Sequence, residues 1–160
     1  MGIETMSEAL RSDAMQLAAL TNSGTEDIQL GDPVIGVLSA TAAAKWQAAA
    51  SARLNEIFGL GNNWDLRGSA RVSKATLMFA WEMLSRIMPP SADAPVMVPL
   101  GHGGLQLLWH TSRGELEVEV SKPNQVSIFY FDRATDAEHE WDESTDFRRL
   151  GDIVWTLSRA

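Results

Sequence analysis

The sequence predicts an α+β fold: an antiparallel β-meander of four or five strands, helices packed on one of its faces, and a helical N-terminal region. Three observations carry this expectation. First, apolar and polar residues alternate between positions 96 and 141. Leu105, Leu107 and Trp109 alternate with Gln106, Leu108 and His110; Leu116, Val118 and Val120 with Glu115, Glu117 and Glu119; Val126, Ile128 and Tyr130 with Ser127, Phe129 and Phe131. A period of two puts each set on one face of a sheet. Second, short turn signals separate these runs: Ser112-Arg113-Gly114 and Lys122-Pro123-Asn124. Third, the flanking segments carry apolar residues every three or four positions, the spacing of helices able to cover a sheet.

In chain order, Ile3, Met6, Leu10, Ala14 and Leu17 predict an amphipathic helix that stops near Asn22-Ser23-Gly24. Its stripe is either core or a face shared with another chain. Residues 25–40 are ambiguous, since 34–38 reads equally as a short strand or as extended chain. The chain is expected to form one domain over 1–160, with 1–40 as a candidate peripheral arm. Thr41 is a candidate cap for a second helix running to Phe58, with Trp46, Ala50, Leu54 and Ile57 on one side and Gly59 as its stop. Residues 59–70 are rich in Gly and Asn and predict an irregular loop. Within it, Trp64 is expected to tuck against the core with its N–H bonded, and Asp65 to bond nearby backbone N–H groups. The loop is then either a structural feature or a recognition surface.

Ser73 caps a third predicted helix over 74–88, with Leu77, Trp81 and Leu84 in its stripe, and Pro89-Pro90 ends it. Ala137, His139 and Trp141 alternate with Glu138, Glu140 and Asp142, which predicts a charged edge strand. Phe129 and Phe131 share the face of the neighbouring glutamates. Their strand is therefore partly buried on both sides, or it presents a hydrophobic spot. Ser144 or Thr145 is the candidate cap of a last helix carrying Phe147, Leu150, Val154 and Leu157.

Composition narrows the function classes. The net charge of −8 disfavours direct nucleic-acid binding, which needs clustered Lys and Arg. Without cysteine there is no disulfide, thiolate metal site or Cys nucleophile, a pattern compatible with a reducing cytoplasm. No stretch approaches the roughly 20 apolar residues of a membrane span. Glu4, Glu8 and Asp13 interrupt any secretory signal, so a soluble cytoplasmic protein is expected.

Two motifs resemble a known group. Asn63-Trp64-Asp65-Leu66-Arg67-Gly68-Ser69-Ala70 with Ser73, and Gly103-Gly104-Leu105-Gln106-Leu107-Leu108-Trp109 followed by the acidic strand from Glu115, resemble the W-D-x-x-G-A and G-G-x-x-L-x-W motifs of a widespread group of small, largely uncharacterised bacterial proteins. Leu66 stands where that group usually has glycine, and His102 where aspartate commonly precedes the two glycines. The resemblance implies a setting among mobile elements, toxin–antitoxin loci or defence islands. It implies no catalytic residue.

No constellation of catalytic spacing emerges. His102, His110 and His139 lack the spacing of a zinc site, and no serine sits in a Gly-x-Ser-x-Gly turn. Convergence of His102 and His110 with Asp65 or Glu117 is the one arrangement that would make a small enzyme or a metal site. No metal or cofactor is otherwise called for. The carboxylates are the stronger signal: Asp132, Asp136, Glu138, Glu140, Asp142, Glu143 and Asp146 are offset only by Arg133 in that stretch. They form either a solvated face or, with Glu115, Glu117 and Glu119, a docking surface for a basic protein. In the docking reading Trp64, Phe129 and Trp141 are aromatic anchors and Asp65 lies in the adjoining loop. The leading expectation is a non-enzymatic inhibitor of a basic, nucleic-acid-handling protein, antitoxin-like or anti-defence. A structural subunit that forms a homodimer through its first helix is the remaining alternative.

Overall fold

The sheet is an antiparallel meander in the order β1-β2-β3-β4-β5, built from β1 (Val96–Pro99), β2 (Leu105–His110), β3 (Gly114–Lys122), β4 (Gln125–Asp132) and β5 (Ala137–Glu143). The α+β class expected from alternation is therefore the one adopted, with five strands. The computed structural model describes residues 43–159, which fall within one compact unit, 33–160. The expected helix over 3–17, the ambiguous 25–40 segment and the Thr41 cap lie outside the described residues.

Three helices supply the other layer: α1 (Lys45–Gly59), α2 (Lys74–Ile87) and α3 (Arg148–Leu157). Helix α1 buries Trp46, Ala50, Leu54 and Ile57 along one stripe, as their spacing requires. It opens where the Gln47 side chain accepts the Ala44 N–H at 3.0 Å. Gly59 is its last residue, and the chain leaves through an extended Leu60 rather than a left-handed glycine. Helix α2 is capped by Ser73, whose hydroxyl accepts the Thr76 N–H at 3.1 Å. Met88, ahead of Pro89, is extended, because a following proline disfavours helical backbone.

The cap expected at Ser144 or Thr145 is not used. Helix α3 begins at Arg148 after Phe147, and Asp146 accepts the Arg148 N–H at 3.2 Å. Burial of Phe147, which meets Phe79 edge-on at 6.0 Å, sets where the chain turns into the helix. Hydrophobic anchoring thus displaces the start by several residues from the hydroxyl-bearing pair.

The core lies between the helices and one sheet face. Leu105, Leu107, Leu116, Val118, Val120, Val126 and Ile128 are buried from the sheet side. Leu54, Ile57, Leu77, Met83, Leu84, Ile87, Leu150 and Val154 meet them from the helices. Among the described residues no helix is long and apolar enough to cross a membrane.

Candidate functional site

Register decides what the uncovered face of the sheet displays. Leu108, Glu117, Phe129 and Glu140 pair successively across β2 to β5 and form one row. Gln106, Glu119, Ser127 and Asp142 form the row on one side of it, and His110, Glu115, Phe131 and Glu138 the row on the other. Paired residues share a face, so all three rows point away from the buried set. Six carboxylates therefore stand on one face in two files, β3 and β5, with Phe129 and Phe131 between them on β4. The two files are about 10 Å apart, the width of two strand spacings. The buried helix residues meet the other face; on this one Leu108, Glu117, Phe129 and Phe131 are half-buried and Glu138, Glu140 and Asp142 exposed, and an open depression of about 460 Å³ lies between Gln106, Glu117, Glu119, Phe129, Glu140 and Asp142.

Few cations answer these carboxylates. Arg133 bonds Glu115, while neutral donors serve others: Gln106 to Glu117 at 3.2 Å, Ser121 to Glu119 at 3.0 Å and Ser127 to Asp142 at 2.7 Å. Glu138 and Glu140 have no hydrogen-bond or ionic partner among the described residues. Neighbours within a file, two residues or about 7 Å apart, cost about 0.6 kcal/mol per like-charged pair in water, and pairs across the files at about 10 Å about 0.4 kcal/mol, before salt screening, so the fold tolerates the arrangement.

The remaining anchor residues lie elsewhere. Trp141 pairs with Ile128 and Glu143 with Val126, which puts both on the helix side of β5. There the Trp141 N–H donates to Glu143 Oε1 at 2.8 Å, and the Arg149 guanidinium stacks 3.9 Å from the indole centroid. These contacts brace the edge strand against α3.

Trp64 and Asp65 belong to the loop that joins the sheet at Gly101 and His102, where Ala70 bridges to His102. Asp65 organises that loop as expected. It accepts the Ser69 hydroxyl at 2.6 Å and the Arg67 N–H at 2.9 Å, and the Ser69 hydroxyl, with the Arg67 N–H next, holds its carboxyl below the usual range. The expected bond to the Trp64 N–H is not made: its Nε1 is buried without a partner among the described residues. The nearby side-chain acceptors serve the loop backbone instead, Asn63 taking the Gly68 N–H and Asn62 the Arg71 N–H. Leu66 sits at φ 61 and is 87% exposed, a left-handed conformation that glycine adopts most easily.

The two histidines do not converge. His102 meets Glu119 at 3.1 Å, whereas His110 lies 3.9 Å from Glu115. Those glutamates are four residues apart on an extended strand, about 13 Å. Asp65 is committed to Ser69, and no group of three or more His, Asp or Glu among the described residues could hold a metal ion.

Phe131, Gln106 and Leu108 join the face without having been singled out as site residues. The period of two in their own strands marked them, and only the cross-strand register shows which carboxylates they stand between. Comparison of the chain with models of known families, with curated proteins and with solved structures finds no match.

Proposed function

We propose that this chain is a non-enzymatic binding module that docks a basic surface of a partner protein on its sheet face and so occludes it. The observation that carries this reading is the co-facial set of six carboxylates flanking Phe129 and Phe131. Solubility alone asks for scattered charge. An aromatic centre with a charged surround is the anatomy of an interface, with aromatics supplying affinity and charge supplying encounter rate and orientation. A protein whose own basic surface handles nucleic acid is the natural target, because that surface is already complementary to closely spaced anions. Inhibition follows from coverage alone, in the manner of an antitoxin or an anti-defence protein.

The test is comparative capture from the cells that make the protein. One immobilised variant carries Glu117→Gln and Glu140→Gln. A control carries Glu82→Gln and Asp152→Asn, which removes equal charge from exposed positions on α2 and α3. A basic protein held by wild type and control should be held about tenfold less by the face variant, the loss expected from two contacts of about 0.7 kcal/mol each. Equal retention by all three would remove the face from the function.

A further inference from the structure

The two edges of the sheet are chemically unlike. Backbone bonds from Thr111 to Gly114 (3.0 Å) and from Arg133 to Arg113 (3.1 Å) fix the phase of hydrogen bonding across the meander. In an antiparallel ladder alternate residues point to alternate neighbours. On β1, Val96 and Val98 consequently face β2, leaving positions 95, 97 and 99 to face outward. Two of these, Pro95 and Pro99, have no N–H, and the Met97 carbonyl accepts Arg53 Nε at 3.1 Å. That edge is closed. On β5 the same phase turns Ala137, His139, Trp141 and Glu143 toward β4, and leaves the N–H and C=O of Glu138, Glu140 and Asp142 facing outward. Among the described residues nothing bonds to them. An unpaired row of this length is a template for another strand.

Resting on the docking reading above, we infer that β5 takes up an extended segment of the partner as a sixth strand, and that this segment alternates Lys or Arg with small or apolar residues. Register dictates the alternation. Residues bonded to Glu138, Glu140 and Asp142 project onto the acidic face, where opposite charge is favoured across strands. The intervening residues project toward Ala137, His139 and Trp141. A second copy of this chain does not fit, because β5 against β5 sets carboxylate opposite carboxylate. The sequence of 1–42, with Arg11 against Glu4, Glu8, Asp13, Glu26, Asp27 and Asp32, lacks the alternating Lys or Arg that this register favours. Trp141, stacked under Arg149 and bonded to Glu143, holds β5 in place to receive it.

The experiment uses the full chain, isotopically labelled, and synthetic peptides as probes: alternating Lys and Val, the same peptide with proline replacing every second lysine, and alternating Glu and Val. Amide hydrogen exchange is followed residue by residue. The Lys–Val peptide should slow exchange at Glu138, Glu140 and Asp142 by about tenfold or more, and leave Ala137, His139 and Trp141, already paired to β4, little changed. The proline and glutamate peptides should give no such protection. Equal protection by the glutamate peptide would overturn the charge selection. Absence of binding, or binding of the lysine and proline peptides alike without alternate protection, would overturn strand addition. In the latter case shifts confined to the carboxylate-bearing face would leave the docking reading standing, whereas the capture experiment tests that reading separately.

Discussion

Trp141 is where the stability of the edge strand and the binding reading meet, and replacing it gives a worked prediction. Trp141→Ala removes three things at once. A half-buried indole forfeits about 100 Å² of apolar burial, or about 2.5 kcal/mol at 25 cal/mol per Å². The Arg149 stack at 3.9 Å contributes about 0.5–1 kcal/mol at a partly exposed site. The indole N–H bond to Glu143 contributes about 1 kcal/mol. These contributions share atoms and are not fully additive, so the expected loss is about 3 kcal/mol. Trp141→Phe keeps most of the burial and the stack but leaves Glu143 without its donor, for a loss of about 1 kcal/mol. Urea denaturation gives both differences, and native-state hydrogen exchange localises them. Extra exchange should begin at the 137–143 amides, while the β2 and β3 amides still report global unfolding. A Trp141→Ala protein within about 0.5 kcal/mol of wild type would refute the brace. So would a Phe variant as damaged as the Ala variant, because the ring would then contribute nothing.

Three further outcomes follow from the same geometry. Gly114→Ala should destabilise by about 2–4 kcal/mol in thermal or chemical unfolding, because its Cβ would overlap the Phe131 carbonyl oxygen and lie 3.1 Å from the Tyr130 ring, neither free to retreat. Leu66→Gly should leave stability within about 1 kcal/mol of wild type, or raise it, since relief of the left-handed conformation offsets the flexibility glycine adds to the unfolded chain; a clear loss would mean that the exposed side chain has a partner. Asp65→Asn should destabilise at neutral pH but not in acid. The folded carboxyl titrates below its usual value of 3.8, so its contribution is complete above that value and disappears as the pH falls through the lowered folded one, and the unfolding curves of variant and wild type should converge there.

Alternation was readable wherever one side of a strand is oily and the other charged. Leu116, Val118 and Val120 against Glu115, Glu117 and Glu119 leave no choice of inner face, and a one-residue slip would expose all three aliphatics. Strand β5 alternates too, but Ala137 and His139 are small or polar and the inner side of the strand is at most half-buried, so the pattern marks an edge without saying what its inner side packs against. The placement of Trp141 beside α3 follows instead from pairing with Ile128, which depends on the length of the turn after Asp132. Glycine at 114 reads as a turn residue; what requires it is the approach of the Phe131 carbonyl. The start of α3 is not legible in the sequence, because a hydroxyl next to an apolar stripe signals a cap, whereas here Phe147 is anchored first. Separation of His102 from His110 was hidden in a subtler way. Residues eight apart meet only if the chain folds back between them, and β2 runs straight.

Paramagnetic relaxation of backbone amides in the full-length chain, compared between a cationic and a neutral nitroxide of equal size, measures the local potential directly. Accumulation of the cationic probe should be greatest over the amides of Glu117, Phe129 and Glu140 and fall away toward α1 and α2. An enhancement spread evenly over the molecule, or a sheet face that neither probe reaches, would contradict an open acidic surface and with it the docking function.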